Sequence, residues 1–167
     1  MISAPRGNLV KNPGFELGLA FWETPPTLTD LTLRNVRVTD LTSHSGLAML
    51  GMGVEAPGQP AAVYQDVCVA PGRIYQLSFA VAGAAANPAD LLVEVRWLDA
   101  DGEDLGLAYS ALVPSGTIGA AGTGGWTLHT GVTDEAPMGA RFARISLTKG
   151  AGTAELFVDD VFFCELA

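Results

Sequence analysis

The sequence is poor in charge, cysteine and histidine. Of its 167 residues, 16% are charged, two are cysteines and two are histidines. It contains no Cys-x-x-Cys pair and no Cys/His spacing typical of a zinc site. No run approaches the roughly 18 to 20 apolar residues of a membrane-spanning helix. We therefore expect neither a zinc centre nor insertion into a membrane.

Basic residues are also few, and they are scattered. Nine Lys and Arg stand against 18 Asp and Glu, which gives a net charge of −9. A protein that binds the phosphate backbone needs clustered basic residues, so no nucleic-acid partner is expected. Residues 1–6 lack the apolar core of a signal peptide. Three explanations stay open: an export signal is missing from this sequence, the protein leaves the cell by another route, or it stays inside.

Apolar residues and turn residues dominate what is present. Hydrophobic residues make up 49% of the sequence, enough for a sizeable core and too many for a disordered chain. We see no internal repeat and expect one domain over residues 1–167, with residues 1–7 as a flexible tail. Helical periodicity is nearly absent, whereas short alternating runs bounded by Gly and Pro recur. Strands are predicted at 30–39, 61–69, 74–82, 91–98, 105–112, 126–132, 142–148 and 154–164.

About nine or ten short strands separated by turns predict an all-β fold, a β-sandwich or jelly roll of two antiparallel sheets. Alternation assigns Tyr75 and Trp97 to core-facing rows, and Tyr64 to a partly exposed row with Asp66 and Cys68. Cys68 and Cys164 are interpreted as two small buried hydrophobes, although a disulfide stays open. The Gly-rich stretch 114–125 is predicted to be a mobile loop that could contact a partner.

Carboxylates flank an apolar β run at each end of the chain. Residues 8–16 end in Glu16, and residues 156–163 contain Asp159 and Asp160. A β-sandwich can bring its first and last strands together, and clustered carboxylates repel unless a cation lies among them. Calcium is the usual cation for oxygen ligands. One of the two aspartates must interrupt a core-facing row unless the last strand bulges, so a metal or a hydrogen-bonded loop has to compensate its burial.

A series of short motifs runs along nearly the whole chain. They are Asn12-Pro13-Gly14-Phe15-Glu16 with Trp22, Ser43-His44-Ser45-Gly46, Val63-Tyr64-Gln65-Asp66-Val67, Trp97-Leu98-Asp99-Ala100-Asp101-Gly102, Gly125-Trp126-Thr127 and Phe157-Val158-Asp159-Asp160-Val161. Their order resembles that of the carbohydrate-binding modules of families 4 and 9. It is similar also to a module attached to collagen-like repeat proteins of spore-forming bacteria.

This resemblance implies a jelly roll with a structural calcium near the chain ends. Glu16 would supply a side-chain oxygen, the loop from Ser43 to Ser45 backbone carbonyls, and Asp159 or Asp160 the rest of the shell. The alternative is an aspartate that caps loop amides, with Glu16 solvated. The resemblance also makes Trp22 and Trp126 core residues.

The ligand would lie on a polar sheet face. The candidate residues on this face are Gln76, Glu94, Arg96 and Arg144, with Ser78, Ser146 and Thr148 beside them. Tyr109, which is expected near the long loops, is a further candidate. This face is poor in aromatic rings. We therefore keep two hypotheses: a non-catalytic, calcium-stabilised module that binds a polysaccharide or other glycan, and an assembly module of a surface or spore-coat protein that forms protein contacts, as an oligomer or attached to a larger protein.

Either hypothesis places the protein outside the cell or on a cell or spore surface. No enzyme is predicted, because no Gly-x-Ser-x-Gly or other nucleophile–base arrangement is found. His44 is expected to be a turn residue that bonds its own loop.

Overall fold

The computed structural model describes residues 7–24, 35–40, 42–53 and 60–166. They form nine strands in two antiparallel sheets. The five-stranded sheet has the order β1-β2-β9-β4-β7, and the four-stranded sheet the order β3-β8-β5-β6. The strands are β1 (Val36–Thr39), β2 (Met49–Met52), β3 (Ala61–Cys68), β4 (Tyr75–Gly83), β5 (Ala89–Leu98), β6 (Asp104–Val113), β7 (Thr127–Val132), β8 (Phe142–Gly152) and β9 (Leu156–Glu165). The predicted β-sandwich is confirmed.

The core lies between the two sheets and follows the predicted alternation. Tyr75, Leu77, Phe79 and Val81 of β4 are all buried, as is Trp97 of β5. The rings of Tyr75 and Trp97 lie 5.9 Å apart, and Tyr75 stacks on Phe163 of β9 at 5.0 Å. Full burial of such a side chain contributes on the order of 1.5–3 kcal/mol, so these rows hold the two sheets together.

Regular alternation in β9 would place either Asp159 or Asp160 in a core-facing row, and a β-bulge in this strand avoids that. Ser78 of β4 pairs with Phe162, but Ala80 pairs with Asp159, so Asp160 and Val161 together oppose Phe79. Asp160 has a φ of 50°, a left-handed conformation that aspartate tolerates better than most residues. The extra residue reverses the alternation. Val158 and Val161 therefore both face the core, and neither aspartate has to.

The strand β2 was not predicted, and the predicted strand 30–39 is tested only in part. β2, with the sequence Met-Leu-Gly-Met, shows no alternation because all four of its residues are buried. Of the predicted strand 30–39, the structure describes the part from Asn35 onward, where Val36–Thr39 form β1; residues 30–34 lie outside the described residues. The predicted tail 1–7 also falls outside them, except for Gly7.

The Gly-rich segment 114–125 contains two 3₁₀ turns, Ser115–Thr117 and Ala121–Thr123. Its Ile118 packs into the core between the sheets, and its second turn packs on the outer face of the five-stranded sheet. Ala121 and the partly buried Trp126 cover Met49, Ala82 and Phe157 in a second apolar cluster. Gly119 and Gly125 make this possible because their backbones touch, and a Cβ on Gly125 would collide with Gly119. The segment is thus a packed cover, and the loop that was predicted to be mobile has defined contacts. Trp126 belongs to this cover rather than to the core between the sheets.

The interpretation of both cysteines as buried is wrong. Cys68 is exposed on the outer face of the four-stranded sheet, and Cys164 is half-buried on the outer face of the other sheet. Both thiols are free. The reason is their position in the alternation, since each follows a core-facing residue, Val67 and Phe163.

In the part of the chain that the structure describes, none of the helical segments has the length and apolar character of a membrane span.

Candidate functional site

The N-terminal segment, residues 8–24, is a run of turns organised by Asn12. The Asn12 side chain donates to the carbonyls of Gly18 (2.9 Å) and Ala20 (3.0 Å) and accepts from the Leu17 amide (3.0 Å). Its backbone carbonyl accepts from the Trp22 indole at 3.1 Å. The Phe15 ring, fully buried, stacks on Trp22 at 5.2 Å. The Asn-Pro-Gly-Phe-Glu motif and Trp22 therefore form one local cap over the core, and the predicted burial of Trp22 is confirmed.

This segment lies against the last strand, β9. The Leu9 amide donates to the Phe163 carbonyl at 2.8 Å, and the Val161 amide donates to the Pro13 carbonyl at 3.0 Å. The Asn8 side chain bridges both sides, donating to the Val161 carbonyl and accepting from the Phe163 amide. The opening and closing segments thus meet, as the sequence predicted.

Three carboxylates gather at this meeting point around residues 42–48, which we call the capping loop. Glu16 Oε1 accepts from the amides of Leu47 (2.8 Å) and Ala48 (3.0 Å). Asp159 Oδ2 accepts from the amides of His44 (3.0 Å) and Ser45 (3.1 Å). We call Glu16, Asp159, Asp160 and the capping loop the acidic junction.

Asp160 completes the junction with side-chain bonds. Its Oδ1 accepts from the Ser45 hydroxyl and its Oδ2 contacts His44 Nδ1, both at 2.7 Å. The His44 ring also lies 5.6 Å from the Trp126 ring, whose indole donates to the Thr42 carbonyl at 3.0 Å. His44 therefore lies in the loop as predicted, but its side chain bonds Asp160 of β9 rather than its own loop, so that part of the prediction is wrong. Ser43 instead bonds its own loop, because its hydroxyl donates to the Gly46 carbonyl at 3.0 Å.

The chemistry of the junction suits a hard cation, but its present arrangement is that of a set of amide caps. Asp159 is fully buried, and this desolvation raises its pKa to about 6, although three backbone amides donate to it. Oδ1 of Asp159 and Oδ1 of Asp160 both face the Cα of Gly14. Within the described ranges, however, no three Asp, Glu, His or Cys side chains are arranged to hold a metal ion. The alternative of an amide-capping aspartate matches these contacts, except that Glu16 also caps amides and is not simply solvated. Calcium stays a prediction.

The structure separates the residues predicted to bind a ligand. Glu94, Arg96 and Arg144 do share the outer face of the four-stranded sheet, where Arg96 is opposite Arg144. Gln76 and Ser78 lie on β4 and face outward from the other sheet, so the single polar face that was predicted does not exist. Tyr109 pairs with Val95 and packs against the core, with its ring over Gly131 of β7. Alternation had given each residue's side of a strand but not the sheet to which the strand belongs.

The charges on the four-stranded face are already paired. Arg144 forms two bonds to Asp66, at 2.7 and 2.8 Å. Arg96 bonds Asp104 at 2.9 Å and approaches Glu94 at 3.8 Å. A ligand on this face would have to compete with those ion pairs.

A groove runs along β3, the edge strand of this sheet, and the N-terminal segment forms its other wall. We call it the β3 groove. It has a volume of about 420 Å³ and is lined by Leu9, Lys11, Phe21, Glu23, Tyr64, Gln65, Asp66, Val67 and Cys68. Phe21 is 55% exposed, and it is the aromatic residue that the N-terminal wall of the groove presents to solvent. Phe21 also has a φ of 71°, a conformation that costs a non-glycine residue on the order of 1 kcal/mol.

Polar groups surround the ring of Phe21. The Lys11 ammonium lies 5.4 Å from its centroid. The Tyr64 hydroxyl donates to Glu23 at 2.8 Å, and this bond raises the pKa of Tyr64. The Arg144 guanidinium lies 4.2 Å above the Tyr64 ring. The groove therefore combines two aromatic rings with hydrogen-bonding groups of both charges.

The wall of the groove is fixed by a buried amide. Gln65, 4% exposed, accepts from the Lys11 amide at 2.7 Å and donates to the Lys11 carbonyl at 3.0 Å. Glu23 and Tyr64 exchange backbone hydrogen bonds at 2.9 and 2.8 Å. Both walls are thus bonded to each other before any ligand binds.

A second exposed surface lies on the outer face of the five-stranded sheet, beyond the Gly-rich cover. Leu128, Val132 and Phe162 are 63%, 53% and 45% exposed. They flank Gln76 and Ser78 in the pairing of β7, β4 and β9. We call these three side chains the apolar face.

Solved structures share this fold at low sequence identity. A family 16 carbohydrate-binding module is 19% identical with a TM-score of 0.68, covering 95% of this chain and 100% of that one. A family 61 carbohydrate-binding module in complex with β-1,4-galactotriose is 20% identical with a TM-score of 0.66, covering 95% and 99%. The enzymatically active domain of bacteriophage CBA120 tailspike protein 4 is 18% identical with a TM-score of 0.72, covering 95% of this chain.

This chain spans 21% of the tailspike structure. No protein family model matches the sequence, and no curated protein matches it significantly. The likeness establishes the jelly-roll fold of carbohydrate-binding modules; the particular resemblance to families 4 and 9 stays a prediction.

Sequence reasoning missed the β3 groove. Lys11, Phe21 and Glu23 were not singled out, because the segment that carries them has no periodicity and its facing strand comes about forty residues later in the chain. One feature of the sequence could have indicated the groove. Phe21 lies in a polar, turn-rich stretch, next to Trp22, which was assigned to the core because of its motif.

Proposed function

We propose that the chain is a non-catalytic carbohydrate-binding module and that the β3 groove receives the saccharide. The observation that carries this proposal is the exposed Phe21 ring, held in a left-handed backbone conformation at the wall of a groove with polar side chains. The fold that the chain shares with modules of families 16 and 61 supports it.

The groove offers what a pyranose needs. The apolar face of a sugar ring stacks on an aromatic side chain, and the hydroxyls around the ring need donors and acceptors. Phe21 supplies the surface, Lys11 a donor, and Glu23 and Asp66 acceptors that keep free lone pairs beside their existing bonds. Because both walls are bonded to each other, little conformational entropy would be lost on binding.

A catalytic role is not part of the proposal. Ser, His and Asp meet in the acidic junction, where the Ser45 hydroxyl donates to Asp160 instead of to His44. A nucleophile needs its base within hydrogen-bond reach, so this arrangement does not activate Ser45.

The test compares two exposed phenylalanines. Affinity electrophoresis in gels that contain soluble plant and bacterial polysaccharides, β-1,4-galactan among them, would measure retardation of the full chain. We expect Phe21→Ala to lose the retardation, because it removes the stacking surface. Phe162→Ala, 45% exposed on the apolar face, should keep it. Loss of binding in Phe162→Ala but not in Phe21→Ala would move the site to the five-stranded sheet, and no retardation by any polysaccharide would refute the function.

A second candidate function, protein assembly, is favoured by the apolar face. Leu128, Val132 and Phe162 expose apolar surface beside the edge strand β7, a setting that suits contact with another protein. Sedimentation at several concentrations would show an oligomer that dissociates in Val132→Lys. A monomer at all concentrations would count against self-assembly.

Calcium and location are part of the proposal. The ion would be held by Glu16, Asp159, Asp160 and the capping-loop residues Ser43 and Ser45, which offer hard oxygen donors. It would stabilise the fold and take no part in saccharide binding. We place the protein outside the cell or on a cell or spore surface, a location that would match a polysaccharide ligand.

A further inference from the structure

We propose that the β3 groove selects an acidic saccharide, with Lys11 as the counter-charge for a uronate carboxylate next to the ring that stacks on Phe21. This inference rests on the proposed function of the groove and adds the chemical class of its ligand.

The first step is the charge balance inside the groove. Glu23 and Asp66 both have partners, because Glu23 accepts from Tyr64 at 2.8 Å and Asp66 holds Arg144 through two bonds. Lys11 differs from them. Within the described residues no carboxylate lies within ion-pair distance of its ammonium. The ammonium instead lies 5.4 Å from the centroid of the Phe21 ring. The carboxylates of the groove are therefore paired, whereas Lys11 has no ion pair with any described carboxylate.

The second step is the position of that cation. The backbone of Lys11 is held on both sides by the buried side chain of Gln65, through bonds of 2.7 and 3.0 Å. The ammonium then lies over the same ring that offers the stacking surface. A pyranose that stacks on this ring would displace the ammonium from it. A carboxylate at C6 of the sugar could then pair with the displaced ammonium, whereas a hydroxymethyl group could form no ion pair with it.

The third step is the discrimination between neutral and acidic sugars. The net charge of −9 repels polyanions at long range, so a preference for an acidic sugar has to come from a local contact. An exposed ion pair contributes up to about 1 kcal/mol, which is about fivefold in affinity. The preference should therefore be modest, depend on Lys11 and weaken in salt.

The experiment uses matched ligands. Polygalacturonate and glucuronoxylan are each compared with their own carboxyl-reduced forms, so that the chain and linkages stay the same. We expect the wild-type protein to bind the acidic forms about fivefold more tightly at low salt. Lys11→Gln should lose this preference for the acidic forms, and Lys11→Arg should keep it because it keeps the charge.

The outcomes separate this inference from the proposed function. Equal binding of acidic and reduced forms by the wild type, abolished by Phe21→Ala, would overturn the acidic preference and leave the saccharide site in place. A preference that survives in Lys11→Gln would also overturn it. If neither form binds, the proposed function fails and this inference fails with it. Loss of the preference in Lys11→Gln but not in Lys11→Arg, together with its decline in salt, would support it.

Discussion

Gly46 of the capping loop is the residue at which the acidic junction can be tested most directly. Its φ of +60° lies in the left-handed region, and a Cβ on it would collide with Oε1 of Glu16. That oxygen accepts the amides of Leu47 and Ala48. Gly46→Ala therefore strains the backbone and also displaces the carboxylate that caps the loop.

The two effects can be estimated separately. The left-handed conformation costs an alanine on the order of 1–2 kcal/mol. The two bonds to Glu16 are partly exposed, so losing both adds roughly 2 kcal/mol. We expect Gly46→Ala to lower the free energy of unfolding by about 3–4 kcal/mol, which for a chain of this size lowers the melting temperature by about 10 °C.

Gly102 provides the matched control. It has a φ of +84° in the β5–β6 turn, and no atom lies within 4 Å of its ideal Cβ. Gly102→Ala should therefore cost about 1–2 kcal/mol from backbone strain alone. Urea unfolding would give both values. In a Glu16→Ala background the clash disappears, so Gly46→Ala should then cost about as much as Gly102→Ala. Equal costs for the two substitutions in the wild-type background would refute the capping role of Glu16.

Three further predictions concern neighbouring features. Burial raises the pKa of Asp159 to about 6. The folded state therefore binds this proton more tightly than the unfolded state does, and stability from Asp159 falls as pH rises from about 4 to 6, by at most about 3 kcal/mol; urea unfolding of wild type and Asp159→Asn across that range should show the difference. If calcium binds the junction, a chelator should lower the melting temperature; an unchanged melting temperature would contradict calcium binding. Gly131→Ala should destabilise the fold by about 1–3 kcal/mol, because its Cβ would collide with the Tyr109 ring; thermal melting of Gly131→Ala in a Tyr109→Leu background should recover part of that loss.

The strands that sequence alone could predict are those with one face in the core. β5 and the first half of β4 alternate because their outer faces are polar, and Tyr75 and Trp97 were placed correctly for that reason. β2 was missed because the core covers one of its faces and the Gly-rich segment covers the other, which removes the alternation. The covering depends on residues 119–126, far away in the chain, so no local pattern could reveal it.

The acidic junction was predictable in its members but not in its bonds. Motif order placed Glu16, Asp159 and Asp160 together, and the aspartate pair signalled a bulge or a compensating partner. The bulge at Asp160 and the five amide bonds to Glu16 and Asp159 depend on the backbone path of the capping loop, which composition does not encode. The prediction that Gln76 belongs to the ligand-binding face was wrong for a different reason, because alternation does not say which strands are neighbours.

The junction and the groove share one short segment, so the proposed saccharide site depends on contacts that also stabilise the fold. Asn12 bonds Leu17, Gly18 and Ala20, and so joins the turn that carries Glu16 to the turn that carries Phe21. Glu16 holds that segment on the capping loop, while Lys11 holds it on β3 through Gln65. Phe21 is thus kept in its left-handed conformation by a segment that is fixed at both sides. The contacts of the N-terminal segment with β9 and β3 therefore already order one wall of the groove.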